Sequence, residues 1–225
     1  MSADEVRMAA DQDLVFADWD AVTERVMSIM YAHLPTPRGT LLDATCGTGM
    51  ACDAALRLGW NVIGADGSPA LVDRARERLP DVDFAVADVR GLFDVVQRSV
   101  DAAISIGDGL PSLPAADLAA AVGEMRRCVR LGGATMIAVR DFTALKSAVW
   151  RDDPVCRVTA LFVNRSDGAI DYTLQVEDAD GLRTRTRRLH PVSVVELRAA
   201  METSRFRVRR TGKMLGRVVL SGVAV

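Results

Sequence analysis

Short apolar runs alternate with amphipathic stretches through the first 140 residues of the chain. The strand-like runs are "TLLDAT", "NVIGAD", "VDFAVAD", "VDAAISIG" and "GATMIAVRDF", and helical spacing is found in "MACDAALRLG", "SPALVDRARERL" and "AADLAAAVGEMRRCVR". Ser68 as N-cap and Pro69 in the first turn favour the start of one helix, and Gly59 favours the end of another. Because the strands are apolar on both faces, the pattern predicts a parallel sheet covered by helices on both sides.

After Phe142 the pattern changes to β-rich runs separated by turn signals. Ser-Asp-Gly and Asp-Ala-Asp-Gly divide the stretch "CRVTALFVNRSDGAIDYTLQVEDADGLRTRTRRLH", which predicts an antiparallel meander. A helix, "PVSVVELRAAMETS", and two β segments, "FRVRRTGK" and "GRVVLSGVAV", end the chain. We expect an α/β fold with a doubly wound, mostly parallel seven-stranded sheet of the Rossmann-like kind and an antiparallel β insertion after strand five.

We predict a single compact domain with three parts. These are an N-terminal helical arm over residues 1–37, a core over residues 38–142 and 189–225, and a substrate-side insertion over residues 143–188. Ligands of open α/β sheets bind where the carboxyl ends of the strands emerge. The insertion is therefore expected to lie over that edge.

Overall charge does not favour a nucleic-acid partner. The 225 residues carry a net charge of −2 and are 49% hydrophobic, as is usual for a soluble enzyme. Arg183, Arg185 and Arg187 alternate, so they share one face of a strand. A solvated strand face is the simpler interpretation, and a patch for an anionic substrate or nucleic acid is the alternative.

Neither the cysteines nor the histidines have the spacing of a metal site. The four cysteines lack a CxxC pair and are interpreted as reduced thiols, while His33 and His190 are far apart. The N-terminal stretch "MSADEVRMAADQDLVF" has no signal-peptide pattern, and no apolar run reaches membrane-spanning length. We expect a soluble cytoplasmic protein with a small-molecule substrate, no metal, no membrane contact and no nucleic-acid partner.

The stretch "LLDATCGTGM", residues 41 to 50, places Gly47 and Gly49 directly after a predicted strand. A P-loop needs a lysine after its last glycine, and here no lysine or arginine follows Gly49 before Arg57. A dinucleotide fingerprint needs a third glycine, and that position is Cys52. We therefore interpret the turn as a site for S-adenosylmethionine, which carries no phosphate.

An acid at the ends of three successive strands supports this cofactor. Asp66 can accept hydrogen bonds from both ribose hydroxyls, Asp43 can reach the ammonium, and Asp88 can accept from the adenine amino group.

The sequence resembles the class I S-adenosylmethionine-dependent methyltransferases. "LLDATCGTG", "VIGADGS", "VADV" and "LGGATMIAV" resemble successive motifs of that class. Within the class the chain is most similar to the glycine and sarcosine N-methyltransferases, through "ISIGDGLPSLP", "VRDF", "AIDYTLQVE" and "LHP". Leu189 departs from the tyrosine that the family has before the "HP" pair.

The resemblance implies roles at matching positions. Arg140 clamps the substrate carboxylate and Tyr172 lines the reaction centre, while Asp108 stands where the family has Asn. An amine must be neutral to accept a methyl group, and Asp108 is the candidate acceptor of its proton, so these three are the predicted catalytic residues. Trp150 joins Arg140 and Tyr172 in contacting the substrate. The cofactor contacts beyond the two glycines and three acids are expected to be Ala44, Gly67, Leu71, Val89, Ile106 and Gly107.

The resulting hypothesis is an S-adenosylmethionine-dependent methyltransferase that N-methylates a small, amino-acid-like carboxylic acid and releases S-adenosylhomocysteine. One alternative is O- or C-methylation of a secondary metabolite. Another is an enzyme that cyclises or cleaves S-adenosylmethionine itself and forms methylthioadenosine. A regulator that binds the cofactor without turnover is a third. The family resemblance also implies a possible homo-oligomer.

Overall fold

The computed structural model describes residues 3–15, 18–36, 39–214 and 216–225, with side chains from residue 9 onward. Its helices are α1 (Ala3–Val15), α2 (Trp19–His33), α3 (Met50–Arg57), α4 (Pro69–Arg78), α5 (Leu92–Val96), α6 (Leu118–Cys128) and α7 (Val194–Thr203). The boundary predicted between residues 37 and 38 lies outside the described residues. The division into arm, core and insertion stays a prediction.

The main sheet has seven strands and the predicted topology. Its strands are β1 (Thr40–Asp43), β2 (Asn61–Asp66), β3 (Asp83–Val86), β4 (Val100–Ile106), β5 (Val129–Arg140), β10 (Phe206–Met214) and β11 (Arg217–Ala224). They lie in the order β10-β11-β5-β4-β1-β2-β3. The five strands from β5 to β3 are parallel, while β11 runs antiparallel to both β5 and β10. The predicted Rossmann-like α/β fold is confirmed.

Both faces of the sheet are buried because its strands alternate between two cores. Leu42, for example, packs on the α6 and α7 side, whereas Leu41 packs on the side of α2, α3 and α4. Local signals fix the helix starts: the Ser68 hydroxyl accepts from Leu71 N, and Ser193 and Glu196 form a capping box.

Helix α6 ends and strand β5 begins earlier than the pattern predicts. Strand β5 already starts at Val129 and continues through two glycines. Gly132 has φ +74°, and a Cβ on Gly133 would lie 2.9 Å from the Asp101 carbonyl oxygen. The glycines therefore let a bent strand pass close to β4.

The second sheet is the predicted antiparallel meander. It consists of β6 (Ala148–Asp152), β7 (Cys156–Asn164), β8 (Ile170–Asp178) and β9 (Gly181–Leu189), paired in chain order. Its buried side chains include Val158, Ala160, Tyr172, Val176 and Leu189.

The shared face of Arg183, Arg185 and Arg187 is confirmed. Its interpretation as solvated is wrong for Arg183 and Arg185, whose side chains are 16% and 29% exposed, whereas the Arg187 side chain is 48% exposed. Strand pairing places the three arginines on the same side of the second sheet as its buried side chains. Arg183 and Arg185 are ion-paired with Asp11 of α1, whose side chain is 4% exposed. Helix α1 thus joins the second sheet, and Leu14 and Val15 pack against its apolar face.

Helix α2 lies within residues 1–37, where a helical arm is predicted, and Met30 on it is buried whereas Tyr31 is 84% exposed. Trp19 donates a 2.7 Å hydrogen bond to Asp53 of α3.

Within the described ranges, none of the helices combines the length and the apolar character that a membrane span requires.

Candidate functional site

The glycine turn after β1 is locked to the two neighbouring strands by backbone hydrogen bonds. Ala44 N donates to Ile104 O and Cys46 N to Ala65 O, both at 2.8 Å. Gly49, with φ +94°, forms the N-cap of α3, and a Cβ there would lie 3.2 Å from Leu79. The turn consequently needs its glycine and holds a fixed shape at the carboxyl edge of the sheet.

The Asp66 carboxylate ties the end of β2 to this turn. Its two oxygens accept from Gly47 N at 3.0 Å and from Ser68 N at 2.9 Å. Burial raises the pKa of Asp66, against the effect of these two hydrogen bonds. Each carboxylate oxygen has a further lone-pair direction free of these bonds, so the group can accept from two adjacent hydroxyls.

Asp43 lies below the turn, at the end of β1, with a fully buried carboxyl group. Thr45 N donates to Oδ1 at 3.3 Å, and the Cys52 thiol donates to Oδ2 at 3.8 Å. Burial raises the pKa of Asp43 to about 7, and the charge of Asp66 adds to the shift. A nearby ammonium group would restore the ionised form.

Asp88 is held differently from the other two acids. It follows β3, and both of its oxygens contact the Arg90 guanidinium, at 2.9 and 2.5 Å. These bonds lower the pKa of Asp88, and Arg90 also reaches Asp117 at 2.7 Å. A hydrogen bond from adenine to Asp88 would therefore have to compete with the exposed ion pair between Asp88 and Arg90.

The remaining predicted cofactor positions differ in what they can offer. Ala44 and Val89 have side chains in the core, so their backbone alone can face a ligand. Gly67 follows Asp66, Leu71 lies in the first turn of α4, and Ile106 ends β4. Gly107 has φ +117°, and a Cβ there would meet no atom within 4 Å. The glycine keeps this part of the edge open.

On the acceptor side, Asp108 joins the two sheets. Its Oδ1 accepts from Arg140 Nε at 3.1 Å, and its Oδ2 accepts from Arg140 Nη2 at 2.5 Å and from Arg187 Nη2 at 2.9 Å. The Asp108 side chain is 6% exposed. Although burial alone would raise it, the pKa of Asp108 is lowered by Arg140 and Arg187. The carboxylate is therefore a weaker base than the sequence leads one to expect.

A row of three aromatic rings crosses the second sheet beside this cluster. Phe162 and Tyr172 are cross-strand partners with stacked rings 5.1 Å apart, and Trp150 lies 5.9 Å from Tyr172. The Arg140 guanidinium lies 5.2 to 5.5 Å from all three ring centres. The structure thus brings Asp108, Arg140, Trp150 and Tyr172 together, as the resemblance implies.

Arg217, Arg187 and Phe162 belong to the same cluster but are not among the predicted site residues. Arg217 begins β11 and is paired in register with Arg140 of β5. Its Nη1 is buried and lacks a hydrogen-bond partner among the described residues. The alternation around Arg187 is a usable sequence signal, whereas the register of β11 is not visible in the sequence.

The histidines and cysteines show no catalytic grouping in the described ranges. His33 hydrogen-bonds to Ser221 at 3.1 Å, and His190 N donates to Pro111 O. All four cysteines are free and buried, as predicted. Among the residues that the structure describes, no group of three or more metal-ligating side chains occurs.

Comparison with known proteins finds a family match over part of the chain. Residues 41–133 match the family of the methyltransferase domain. The magnesium-protoporphyrin O-methyltransferase of Rhodobacter capsulatus is 30% identical over 138 residues. That alignment covers 56% of this chain, and the chain spans 57% of the length of that relative.

Two solved structures are similar over nearly their full length. DesVI of Streptomyces venezuelae is 21% identical with a TM-score of 0.78, over 96% of this chain and 98% of that one. The sugar N-methyltransferase KedS8 of a Streptoalloteichus species is 22% identical with a TM-score of 0.72, over 92% and 88%. At these identities the likeness establishes the fold.

The comparisons support the predicted class, that of enzymes which use S-adenosylmethionine as methyl donor. A specific likeness to glycine or sarcosine N-methyltransferases is not among the findings. Residues 41–133 therefore resemble a methyltransferase domain, and they lie in a chain that has a Rossmann-like α/β fold.

Proposed function

We propose that the protein N-methylates a small, amine-bearing carboxylic acid with S-adenosylmethionine as methyl donor and S-adenosylhomocysteine as product. The observation that carries this proposal is the juxtaposition of two half-sites at one sheet edge. Asp66 and the glycine turn form one half, and Arg140 with Tyr172 forms the other.

The first half-site fits the donor chemically. Asp66 offers acceptors for the two ribose hydroxyls, and Asp43 offers a buried carboxyl group to the ammonium of the aminobutyrate arm. When bound, the donor supplies an electrophilic methyl group on a sulfonium. The chain has to bring the acceptor atom to about 3 Å from that methyl, in line and shielded from water.

The second half-site complements an amino acid. The Arg140 guanidinium can bind a carboxylate through two parallel hydrogen bonds, and Asp108 beside it offers a negative charge to an ammonium. The two side chains also hydrogen-bond to each other. A bound amino acid would take up both partners at once.

The weak basicity of Asp108 favours an amine over a hydroxyl acceptor. An aliphatic ammonium loses its proton near pH ~10, while a hydroxyl comparable to water needs a far stronger base, since its pKa is about 16. Arg140 and Arg187 lower the pKa of Asp108, so this carboxylate is suited to position an ammonium that then loses its proton to water. The lowered pKa of Asp108 thus fits binding of the ammonium better than it fits acceptance of the proton.

The test is a product screen with purified protein and S-adenosylmethionine. Amino acids, amino sugars and hydroxylated analogues are offered, and methylated acceptor, S-adenosylhomocysteine and methylthioadenosine are followed by mass spectrometry. N-methylated product from an amine-bearing acid, lost in Asp66→Ala and kept in the surface variant Arg157→Gln, supports the proposal. Methylation of hydroxyls alone, or methylthioadenosine without any acceptor, would contradict it. Light scattering of the same sample tests the proposed homo-oligomer.

A further inference from the structure

Two arginines face each other across the strand pair that closes the acceptor half-site. Arg140 and Arg217 are register partners in the antiparallel pair of β5 and β11, so their side chains lie on the same face. Like charges at directly opposed positions destabilise a sheet. A negative charge close to both arginines would therefore stabilise the pair.

Asp108 supplies that charge to Arg140 but makes no hydrogen bond with Arg217. Its oxygens already accept from Arg140 and Arg187, and Arg217 Nη1 is buried without a hydrogen-bond partner among the described residues. Burial lowers the pKa of Arg217, and Asp108 offsets part of that shift. A guanidinium nitrogen in this state lacks both water and a protein acceptor.

The charges around Asp108 leave a positive surplus. Arg140, Arg187 and Arg217 all act on Asp108, and Asp66 is a further carboxylate near Arg187. Asp141, the neighbour of Arg140 in sequence, is paired with Lys213 at 2.8 Å. Asp66 belongs to the donor half-site. The acceptor half-site thus holds three guanidinium groups and one carboxylate.

We propose that Arg217 binds a second anionic group of the methyl acceptor, either a carboxylate or a phosphate, in addition to the carboxylate that Arg140 binds. This inference rests on the proposed function, in which Arg140 takes the first carboxylate. Arg217 then selects among amine-bearing acids and contacts the acceptor directly.

The experiment measures anion binding to the intact protein by calorimetry, with S-adenosylhomocysteine at saturation. The probes are inorganic phosphate, succinate and acetate, in a chloride buffer of low ionic strength. The variants are Arg217→Gln, Arg217→Lys and the control Arg157→Gln, an exposed arginine of β7 paired with Asp152.

We expect phosphate or succinate to bind at least tenfold more tightly than acetate. Arg217→Gln should remove this preference while the affinity for S-adenosylhomocysteine stays within twofold, and Arg157→Gln should change neither. Preference for phosphate alone indicates a phosphorylated acceptor, and preference for succinate alone indicates a dicarboxylate. Equal binding of all three anions, an unchanged preference in Arg217→Gln, or displacement of the anion by S-adenosylhomocysteine would overturn the inference.

Thermal unfolding separates ligand binding from a structural role. Without added anion, Arg217→Gln should keep or raise the Tm, because it removes the repulsion with Arg140, and phosphate should raise the Tm of the wild type more than that of the variant. A lower Tm for both Arg217→Gln and Arg217→Lys, with equal phosphate shifts, would assign Arg217 to the fold. Because the readout is binding, a product screen without methylated acceptor would refute the proposed function and leave this test intact.

Discussion

The buried carboxyl of Asp43 makes the stability of the fold depend on pH in a way that one substitution reveals. The pKa of Asp43 is about 7 in the folded chain against an ordinary 3.8, and burial is the main cause. The folded state therefore holds a proton that the unfolded state has lost between these two values. Stability contributed by this group is complete below pH 4 and falls as the pH rises to about 7.

The size of the effect follows from the shift. One pKa unit corresponds to 1.36 kcal/mol, so a shift of about three units costs the folded state about 4 kcal/mol at pH 8. Asp43→Asn keeps the shape of the protonated acid and can still accept from Thr45 N. The variant should match the wild type at pH 4 and exceed its free energy of unfolding by about 4 kcal/mol at pH 8.

Urea denaturation of both proteins from pH 4 to pH 8 measures this difference. Taking the difference cancels groups that titrate independently of Asp43, such as His33, whose pKa is lowered, whereas the charge of Asp66 is coupled to Asp43. Asp73→Asn, at an exposed position on α4, is the control for the substitution itself. A difference between wild type and Asp43→Asn that stays constant within about 1 kcal/mol over this range would refute the assignment of a neutral buried Asp43.

Three further predictions concern the two half-sites and helix α1. Asp66→Ala should weaken binding of S-adenosylhomocysteine by about 1.5–3 kcal/mol, since charge-assisted hydrogen bonds are lost; an unchanged Kd in calorimetry contradicts this. Arg140→Lys should raise the KM of the acceptor far more than the Kd of the cofactor, because lysine lacks the planar fork, and equal changes in both would refute the clamp. Asp11→Asn should lower the free energy of unfolding by about 1–3 kcal/mol, because Arg183 and Arg185 lose their buried counter-charge. In the same variant, amide hydrogen exchange of Ala9–Val15 should become faster. Protection equal to wild type would show that α1 is held by its apolar contacts alone.

Most of the fold could be predicted because its signals are local. Alternation of apolar positions defines the strands, and the caps at Ser68 and Ser193 define helix starts within a few residues of sequence. Helix α5 (Leu92–Val96) was missed because five residues are too few to show a helical period. Likewise, the run through Gly132 and Gly133 gives no strand pattern, although it forms part of β5.

The donor half-site could be predicted from the sequence, whereas the acceptor half-site could be predicted only in part. Parallel strands bring their carboxyl ends to one edge, so the order of Asp43, Asp66 and Asp88 is enough to group them. The position of Arg217 depends instead on how β11 is aligned against β5, which no spacing in the chain records. Similarly, alternation shows that Arg183 and Arg187 share a face, but the distant acids Asp11 and Asp108 decide what that face contacts.

Burial of Asp43 and burial of Arg217 each cost free energy, for opposite electrostatic reasons. One group lies in each half-site, so the two half-sites share this property. The Asp43 carboxyl is buried without a cation and is driven toward its neutral form, while Arg217 Nη1 is buried without an acceptor. The proposed donor supplies an ammonium to the first, and the proposed acceptor supplies an anion to the second. Each ligand would then reduce an electrostatic cost of folding. Binding of both should therefore stabilise the protein by more than binding to side chains that are already paired.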